Sequence, residues 1–275
     1  MRASPALLAV AVLALLPALA GCAQMPLPQP MTVPPPPPPQ VFTYQAQRCD
    51  GYLLGLVADP ARTDPDLPPG FHLRDPADFF RDVLPTATGQ ALVVVTAVLC
   101  GGATLGAGTF QEAFAGIFVQ PPAVDGNRTT AQYDFYGIDH LSPPGPLRTA
   151  LAAWGWPVLA ANLTARPVAP GGVPAQFTVS AAAPPLAFSF GGATPAPRDY
   201  GTSIVRLWRD TPAGVARVDY TLPLSLGFGP GTCFLGPATR AAAVVGPGTC
   251  SGVVATRLGF PLPATAVLES GQHAR

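Results

Sequence analysis

Apolar residues in this chain fall into one long run near the start and many short runs from residue 41 onward. The long run extends from Ala6 to Leu19, contains Pro17 and ends at Leu19-Ala20-Gly21-Cys22. It is shorter than the roughly 20 apolar residues of a membrane-spanning helix, and it ends in small residues, as a secretory signal peptide does. The pattern predicts a bacterial lipoprotein signal peptide over residues 1–21, with Cys22 as the lipidated residue.

The segment from residue 22 to residue 40 is rich in proline and carries no charged residue; it includes the run Pro34 to Pro39. Such segments adopt an extended conformation of about 3.1 Å per residue and act as stiff spacers. We therefore expect residues 22–40 to tether a domain over residues 41–275 to a membrane through the lipid on Cys22. Ala23 after the cysteine is compatible with sorting to the outer membrane, so the expected location is its periplasmic face.

From residue 41 onward the pattern predicts many short strands. Ala91 to Leu99 is a nearly continuous β-branched run, and Phe110 to Val119 is a second apolar stretch after a glycine-rich segment, so we expect two adjacent buried strands. Gly and Pro punctuate nearly every gap, which favours a barrel or a sandwich. Further strands are predicted at Gln132–Ile138, Val158–Ala165, Gln176–Ser180, Leu186–Phe190, Ile204–Trp208, Ala216–Leu222 and Ser251–Leu258.

Helical periodicity is scarce in the same region. We predict a helix over Pro76–Leu84 with Asp75 as its N-cap, a second over Pro146–Ala153, and a short third over Pro263–Ser270. The expected fold class is therefore mostly β (α+β), with a few short helices.

Charge and residue usage exclude several function classes. The chain has 15 basic and 15 acidic residues, so it lacks the clustered positive charge that nucleic-acid binding requires. Every basic residue is an arginine, and without a lysine no side-chain amine can form an imine with a carbonyl substrate. The histidines lie far apart in sequence and no Cys-x-x-Cys pair occurs, so we predict no metal site and no cofactor.

Four cysteines follow Cys22, and an even number in an exported chain predicts two disulfides. Three pairings are possible. We favour Cys233 with Cys250, because the short segment between them is rich in Gly and Pro and suited to turning back; Cys49 with Cys100 then follows by elimination.

Two motifs resemble the acetoacetate decarboxylase-like family. Leu105 to Val119 (LGAGTFQEAFAGIFV) looks like that family's Gly-x-Tyr-x-Glu strand, whose glutamate points into a barrel. Leu151 to Leu159 (LAAWGWPVL) is similar to its Trp-Gly-Phe-Pro-Lys segment, and Tyr133 to Asp139 occupies the strand expected between them. The resemblance extends from about Tyr52 to Val267 and implies a closed or partly open β-barrel with a central cavity walled by apolar side chains.

The resemblance also implies which residues form the site. Glu112 is the family active-site residue that this chain retains, and Trp154, Trp156 and Val158 are the expected ligand-binding residues beside it. Val158 and Leu159 stand where the decarboxylases carry the imine-forming lysine, so imine-dependent decarboxylation is excluded. Glu112 could instead be a solvated or ion-paired carboxylate, and the tryptophans could be core residues.

We predict a lipid-anchored envelope protein that binds a small, largely apolar ligand without imine chemistry. One alternative is a lysine-independent lyase or hydratase that uses Glu112 as acid or base. Another is a structural or assembly lipoprotein whose barrel is packed solid. Asp139-His140 could be half of a catalytic relay, but the serines lack a Gly-x-Ser-x-Gly setting, so we interpret this pair as part of a turn.

Overall fold

The computed structural model describes residues 40–80, 83–84, 87–103, 110–121, 132–167, 175–183, 186–212 and 214–269. They belong to one compact unit, Pro37–Arg275. The predicted signal peptide, the predicted lipidation site Cys22 and residues 22–39 of the predicted tether lie outside the described residues.

Strands make up most of this part of the chain. They are β1 (Gln40–Ala58), β2 (His72–Leu73), β3 (Ala91–Ala103), β4 (Phe110–Gln120), β5 (Gln132–Ser142), β6 (Leu159–Ala160), β7 (Asn162–Pro167), β8 (Ala175–Ala183), β9 (Leu186–Thr194), β10 (Arg198–Thr211), β11 (Gly214–Leu235) and β12 (Gly248–Glu269). The short α-helices are α1 (Pro60–Thr63), α2 (Ala77–Phe80), α3 (Pro146–Ala153) and α4 (Arg240–Val245), and a 3₁₀ turn covers Asp64–Asp66. In the ranges that the structure describes, no helix is long and apolar enough to cross a membrane.

Seven of the described strands close into a ring in the order β10-β5-β4-β3-β1-β12-β11, with β11 pairing back onto β10. Neighbours around the ring are antiparallel except β5 and β10, which are parallel. One parallel contact is unavoidable, because strand directions cannot alternate fully around an odd number of strands. Beyond the ring, β9, β8 and β7 extend the sheet from the distal half of β11.

Strand β3 is covered on both faces, which accounts for its continuous apolar sequence. Val93 and Val95 pack into one hydrophobic core, and Val94 and Val98 pack into another on the opposite face. A strand that is buried on both faces does not alternate apolar and polar residues, so the continuous apolar run of β3 reflects its position between two hydrophobic cores.

Strand β11 leaves the ring where its pairing with β12 shifts register between Tyr220 and Gly227. The backbones then approach so closely that a Cβ atom on Gly229 would lie 1.9 Å from the carbonyl oxygen of Ala193. Glycine at this position is what lets β11 pass from the ring to its contact with β9.

The predicted mostly β fold is confirmed, and so are the adjacent buried strands, since β3 and β4 pair along Val93–Cys100. Helix α3 has the predicted bounds, and Asp75 caps α2 by accepting a hydrogen bond of 2.8 Å from the Ala77 N–H. Within the described residues α2 covers Ala77–Phe80, which is shorter than the predicted helix over Pro76–Leu84.

The predicted helix over Pro263–Ser270 is wrong. This segment is the end of β12, where Pro263 pairs with Gln45 of β1 and Leu268 pairs with both Gln40 of β1 and Ala216 of β11. Two partner strands supply backbone hydrogen bonds on both sides, and this tertiary pairing overrides the local preference. Strand β1 was not predicted from the sequence, because polar residues interrupt the apolar ones throughout its first half.

Candidate functional site

A cavity of about 90 Å³ lies inside the ring. All seven ring strands contribute to its wall, which places it on the inner face of the sheet. The surface of the wall is almost wholly apolar, and no charged side chain of the described residues belongs to it. The lining residues are Gly51, Tyr52, Leu53, Val94, Thr96, Val98, Phe114, Tyr133, Phe135, Val205, Tyr220, Leu222, Leu224, Leu226, Ala255 and Leu262.

Glu112 projects into the same interior. It pairs directly with Val98 across β3 and β4, and directly paired residues of antiparallel strands point to the same face of a sheet. Val98 lines the cavity, so the Glu112 side chain is on the cavity side of the ring, where it is completely buried. The alternative of a solvated carboxylate at a strand edge is thereby excluded.

The partner of this carboxylate is His140. His140 lies on β5 opposite Phe114, which also lines the cavity, so it shares the inner face with Glu112. The Nε2 atom of His140 is 3.2 Å from the Oε2 atom of Glu112, and His140 is 3% exposed. The site therefore holds a hydrogen-bonded carboxylate and imidazole that are both buried in the interior of the ring.

Aromatic rings surround the imidazole. Trp156 meets it edge to face at 5.8 Å, and Phe114 does so at 6.2 Å between ring centroids. The opposite neighbour of Phe114 is Tyr220, which stacks on it at 6.1 Å. Phe114 thus connects the two parts of the site, because it lines the cavity and contacts the Glu112–His140 pair.

Each partner keeps one polar atom without a hydrogen bond to the described protein. These atoms are Oε1 of Glu112 and Nδ1 of His140, and both are buried. Buried polar atoms are rarely left unsatisfied, so an orphan on each side of one hydrogen bond marks a place where a ligand or a proton can be accepted.

The chain segment after α3 delivers Trp156 to the pair. Gly155 adopts a φ of +80°, and a Cβ atom there would come within 2.8 Å of Pro212. This turn lets the backbone N–H of Trp156 donate a 3.0 Å hydrogen bond to the Leu151 carbonyl oxygen, which holds the backbone of Trp156 where its indole contacts His140.

The other predicted ligand-binding residues are buried in the same inner core. Trp154 is 7% exposed and Val158 is 8% exposed, and neither belongs to the wall of the cavity. Leu159, the next residue, is 44% exposed. Val158 and Leu159 stand where the similar decarboxylases carry their imine-forming lysine, and of these two residues Val158 is the buried one.

The interpretation of Asp139-His140 as a turn is wrong, because both residues lie inside β5. Their side chains point to opposite faces, and Asp139 accepts backbone N–H bonds from Arg240 at 3.1 Å and Ala241 at 2.9 Å, at the start of α4. Burial raises the pKa of Asp139 above its usual value, although these N–H groups and Arg209 oppose the shift. The role of His140 was missed because no local pattern relates it to Glu112, 28 residues earlier.

Both cysteine pairs are joined as predicted, Cys49 with Cys100 and Cys233 with Cys250. Each bond links directly opposed residues of antiparallel strands. Cys49 and Cys100 belong to the inner core, and Cys100 lies two residues along β3 from Val98, the partner of Glu112. Within the described ranges no group of three His, Cys, Asp or Glu side chains could hold a metal ion.

No family model and no curated protein matches the sequence. Solved structures do match. The enduracididine biosynthesis enzyme MppR complexed with pyruvate aligns over 90% of this chain and 97% of its own, with a TM-score of 0.54 and 14% identity. The fold is acetoacetate decarboxylase-like.

Two further structures agree with this fold. An acetoacetate decarboxylase-like enzyme from Sphingomonas wittichii RW1 covers 84% of this chain and 94% of its own, at a TM-score of 0.54 and 16% identity. Acetoacetate decarboxylase from Legionella pneumophila subsp. pneumophila str. Philadelphia 1 covers 88% and 92%, at a TM-score of 0.54 and 14% identity. At these identities the likeness establishes the fold, and function has to be argued from the site.

Proposed function

We propose that this chain is a lipid-anchored protein of the bacterial cell envelope that binds a small, largely apolar ligand inside its strand ring, without imine chemistry. The observation that carries the proposal is the apolar cavity beside the Glu112–His140 pair. The absence of lysine from the sequence removes the side chain that an imine mechanism requires.

The cavity limits the size of the ligand. Its volume of about 90 Å³ is smaller than the roughly 150 Å³ cavity that admits benzene in another protein. The ligand is therefore a molecule of a few non-hydrogen atoms.

The cavity also limits the charge of the ligand. A ligand carboxylate would add a second negative charge to the interior that already holds the Glu112 carboxylate, and the described lining residues supply no cation to compensate it. A hydroxyl group on the ligand can donate a hydrogen bond to one of the orphan atoms, Oε1 of Glu112 or Nδ1 of His140. A small uncharged ketone or alcohol meets both the size limit and the charge limit of the cavity.

A second candidate is a lysine-independent lyase or hydratase, which the same pair favours. A carboxylate hydrogen-bonded to an imidazole is an arrangement that can move protons in a buried site. A purely structural role for a solidly packed barrel is less favoured, because the inner core contains a cavity.

Ligand-observed saturation-transfer NMR on the full-length chain tests the binding proposal. We expect butan-2-one to bind and butanoate not to bind. Val205→Phe should weaken ketone binding by about tenfold or more, since it fills the cavity. Ile204→Phe is the matched control, because Ile204 is the neighbouring residue of β10 and does not line the cavity. Equal saturation transfer with both variants would contradict the proposal.

A further inference from the structure

We propose that His140 is the general base of this site, that Glu112 is its positioning residue, and that the reaction is removal of a proton next to the carbonyl group of a small uncharged ligand. The inference rests on the proposed function, since the ligand must first bind in the ring. It reverses the expected roles, in which Glu112 was the acid or base.

The hydrogen bond between the two side chains fixes which nitrogen is free. An ionised carboxylate can only accept hydrogen bonds, so Nε2 of His140 carries the shared proton and donates it to Glu112. A neutral imidazole with a proton on Nε2 has a lone pair on Nδ1. The Nδ1 atom is buried and makes no hydrogen bond to the described protein.

The same observation defines the target of the base. A base that activates a protein nucleophile is hydrogen-bonded to a Ser, Thr, Cys or Tyr side chain, and in the described chain no such group bonds Nδ1. The cysteines of the ring interior, Cys49 and Cys100, are joined to each other. The proton that Nδ1 accepts therefore comes from the bound molecule.

The step balances in charge and atoms. The C–H bond next to the carbonyl group breaks, an N–H bond forms at Nδ1, and the electron pair of the C–H bond moves to the carbonyl oxygen, which gives an enolate. Before the step the site carries one negative charge, on Glu112. Afterwards the imidazolium of His140 compensates one of the two negative charges, so the net charge of the apolar interior does not change.

Glu112 contributes by holding and charge-balancing the ring. Its carboxylate keeps the proton on Nε2 and stabilises the imidazolium that forms when Nδ1 is protonated, as a carboxylate does behind the histidine of a catalytic triad. Trp156 and Phe114 pack edge-on against the imidazole and limit its rotation.

The first test reads the tautomer of His140 in the unaltered full-length chain by long-range ¹H–¹⁵N NMR. The signal is assigned by its loss in His140→Gln. We expect a proton on Nε2 and none on Nδ1, and a changed tautomer population in Glu112→Gln. A proton resident on Nδ1 would overturn the inference, and because the tautomer is read in the unaltered chain, His140→Gln serves only for the assignment.

The second test follows deuterium incorporation next to the carbonyl group of butan-2-one in D₂O. We expect exchange with the unaltered chain, a loss of about 100-fold or more in His140→Gln, and a loss of about tenfold or more in Glu112→Gln, whose amide no longer holds the tautomer that frees Nδ1. Imidazole added to His140→Gly should restore part of the exchange. His72→Gln is the control, because His72 is exposed on β2.

The two proposals fail in different ways. Absence of ketone binding would remove the proposed function. Binding of the ketone without exchange, or exchange that survives in His140→Gln, would remove the base and leave the binding proposal standing.

Discussion

The Glu112 carboxylate and the His140 imidazole share a hydrogen bond of 3.2 Å, although they lie on different strands and 28 residues apart. His140 stands opposite Phe114, so it reaches Glu112 diagonally across the inner face of β4 and β5. Both groups are buried, and their attraction must offset the cost of removing both from water.

Replacing only one member of this pair with an apolar residue should destabilise the fold more than replacing both. We expect His140→Leu to cost about 3–5 kcal/mol, because it leaves a buried carboxylate without its partner. Glu112→Gln should cost less, because an amide oxygen can still accept the Nε2–H bond. In Glu112→Leu/His140→Leu the free energy of unfolding should fall by less than the sum of the single changes, as urea denaturation will measure. Additive losses would mean that the two side chains do not interact.

Asp139 should make stability depend on pH in the opposite sense to a salt-bridged aspartate. Its pKa is raised by burial, so the stability it contributes is full below its unfolded value of 3.8 and falls as pH rises through the higher folded value. Asp139→Asn cannot titrate, so the difference in unfolding free energy between the unaltered chain and this variant should shrink over that window. A difference that grows with pH would show that the bonds to the start of α4 dominate.

Each disulfide should stabilise the domain according to the length of chain it closes. The residues are 17 apart for Cys233–Cys250 and 51 apart for Cys49–Cys100, for which chain entropy gives about 3 and about 4 kcal/mol. Paired serine substitutions followed by urea unfolding test these values. Under mild reduction of the native protein, alkylation should reach Cys250 before Cys49, because Cys49 is fully buried and Cys250 is not.

Gly229 should tolerate no side chain. Gly229→Ala places a Cβ atom against the backbone of Ala193 and should cost about 1–3 kcal/mol or more. Gly101→Ala is the matched control, because a Cβ atom at Gly101 of β3 meets nothing within 4 Å and should leave the melting temperature unchanged or slightly raised. Equal melting temperatures for the two variants would contradict the close approach of β11 to β9.

Cys22→Ala tests the predicted lipid anchor. We expect the substituted chain to remain an unprocessed precursor, because the modified thiol is the predicted attachment point of the lipid. Intact-mass measurement of the mature native protein should give a lipidated Cys22 at its amino terminus. An unmodified terminus elsewhere would refute the anchor.

Local sequence predicted the strands where an apolar run is buried on both sides, as in β3 and β4, and the helix where Pro stands at its first position and Gly155 follows its end. Local sequence did not predict β1 or the end of β12, because each of these segments forms a strand only by pairing with the other. Gln45 and Pro263 are poor strand residues in isolation, and they pair only when both segments are in place.

Glu112 could be predicted from the sequence and His140 could not, again because pairing between strands decides which residues meet. Glu112 stands out as a carboxylate inside an apolar run, which requires a partner or a cavity. His140 follows an aspartate in a less apolar segment, and only the register of β4 with β5 shows which of the two faces inward. When the role of a residue is set by pairing between strands, the residues next to it in the sequence do not reveal that role.

The pairing of β1 with β12 has a consequence for the order of folding. The first described strand joins the last, so the ring cannot close until about 200 residues of intervening chain have been synthesised and the final strand is available. Contacts so distant in sequence carry a large loop-closure cost and make folding slow. Until then β1 has no partner for the edge that β12 will cover, and a chain waiting in that state exposes a strand to which other unfinished copies can bind. We expect the yield of folded protein to depend on how long β1 remains unpaired before β12 is available, as much as on the stability of the closed ring.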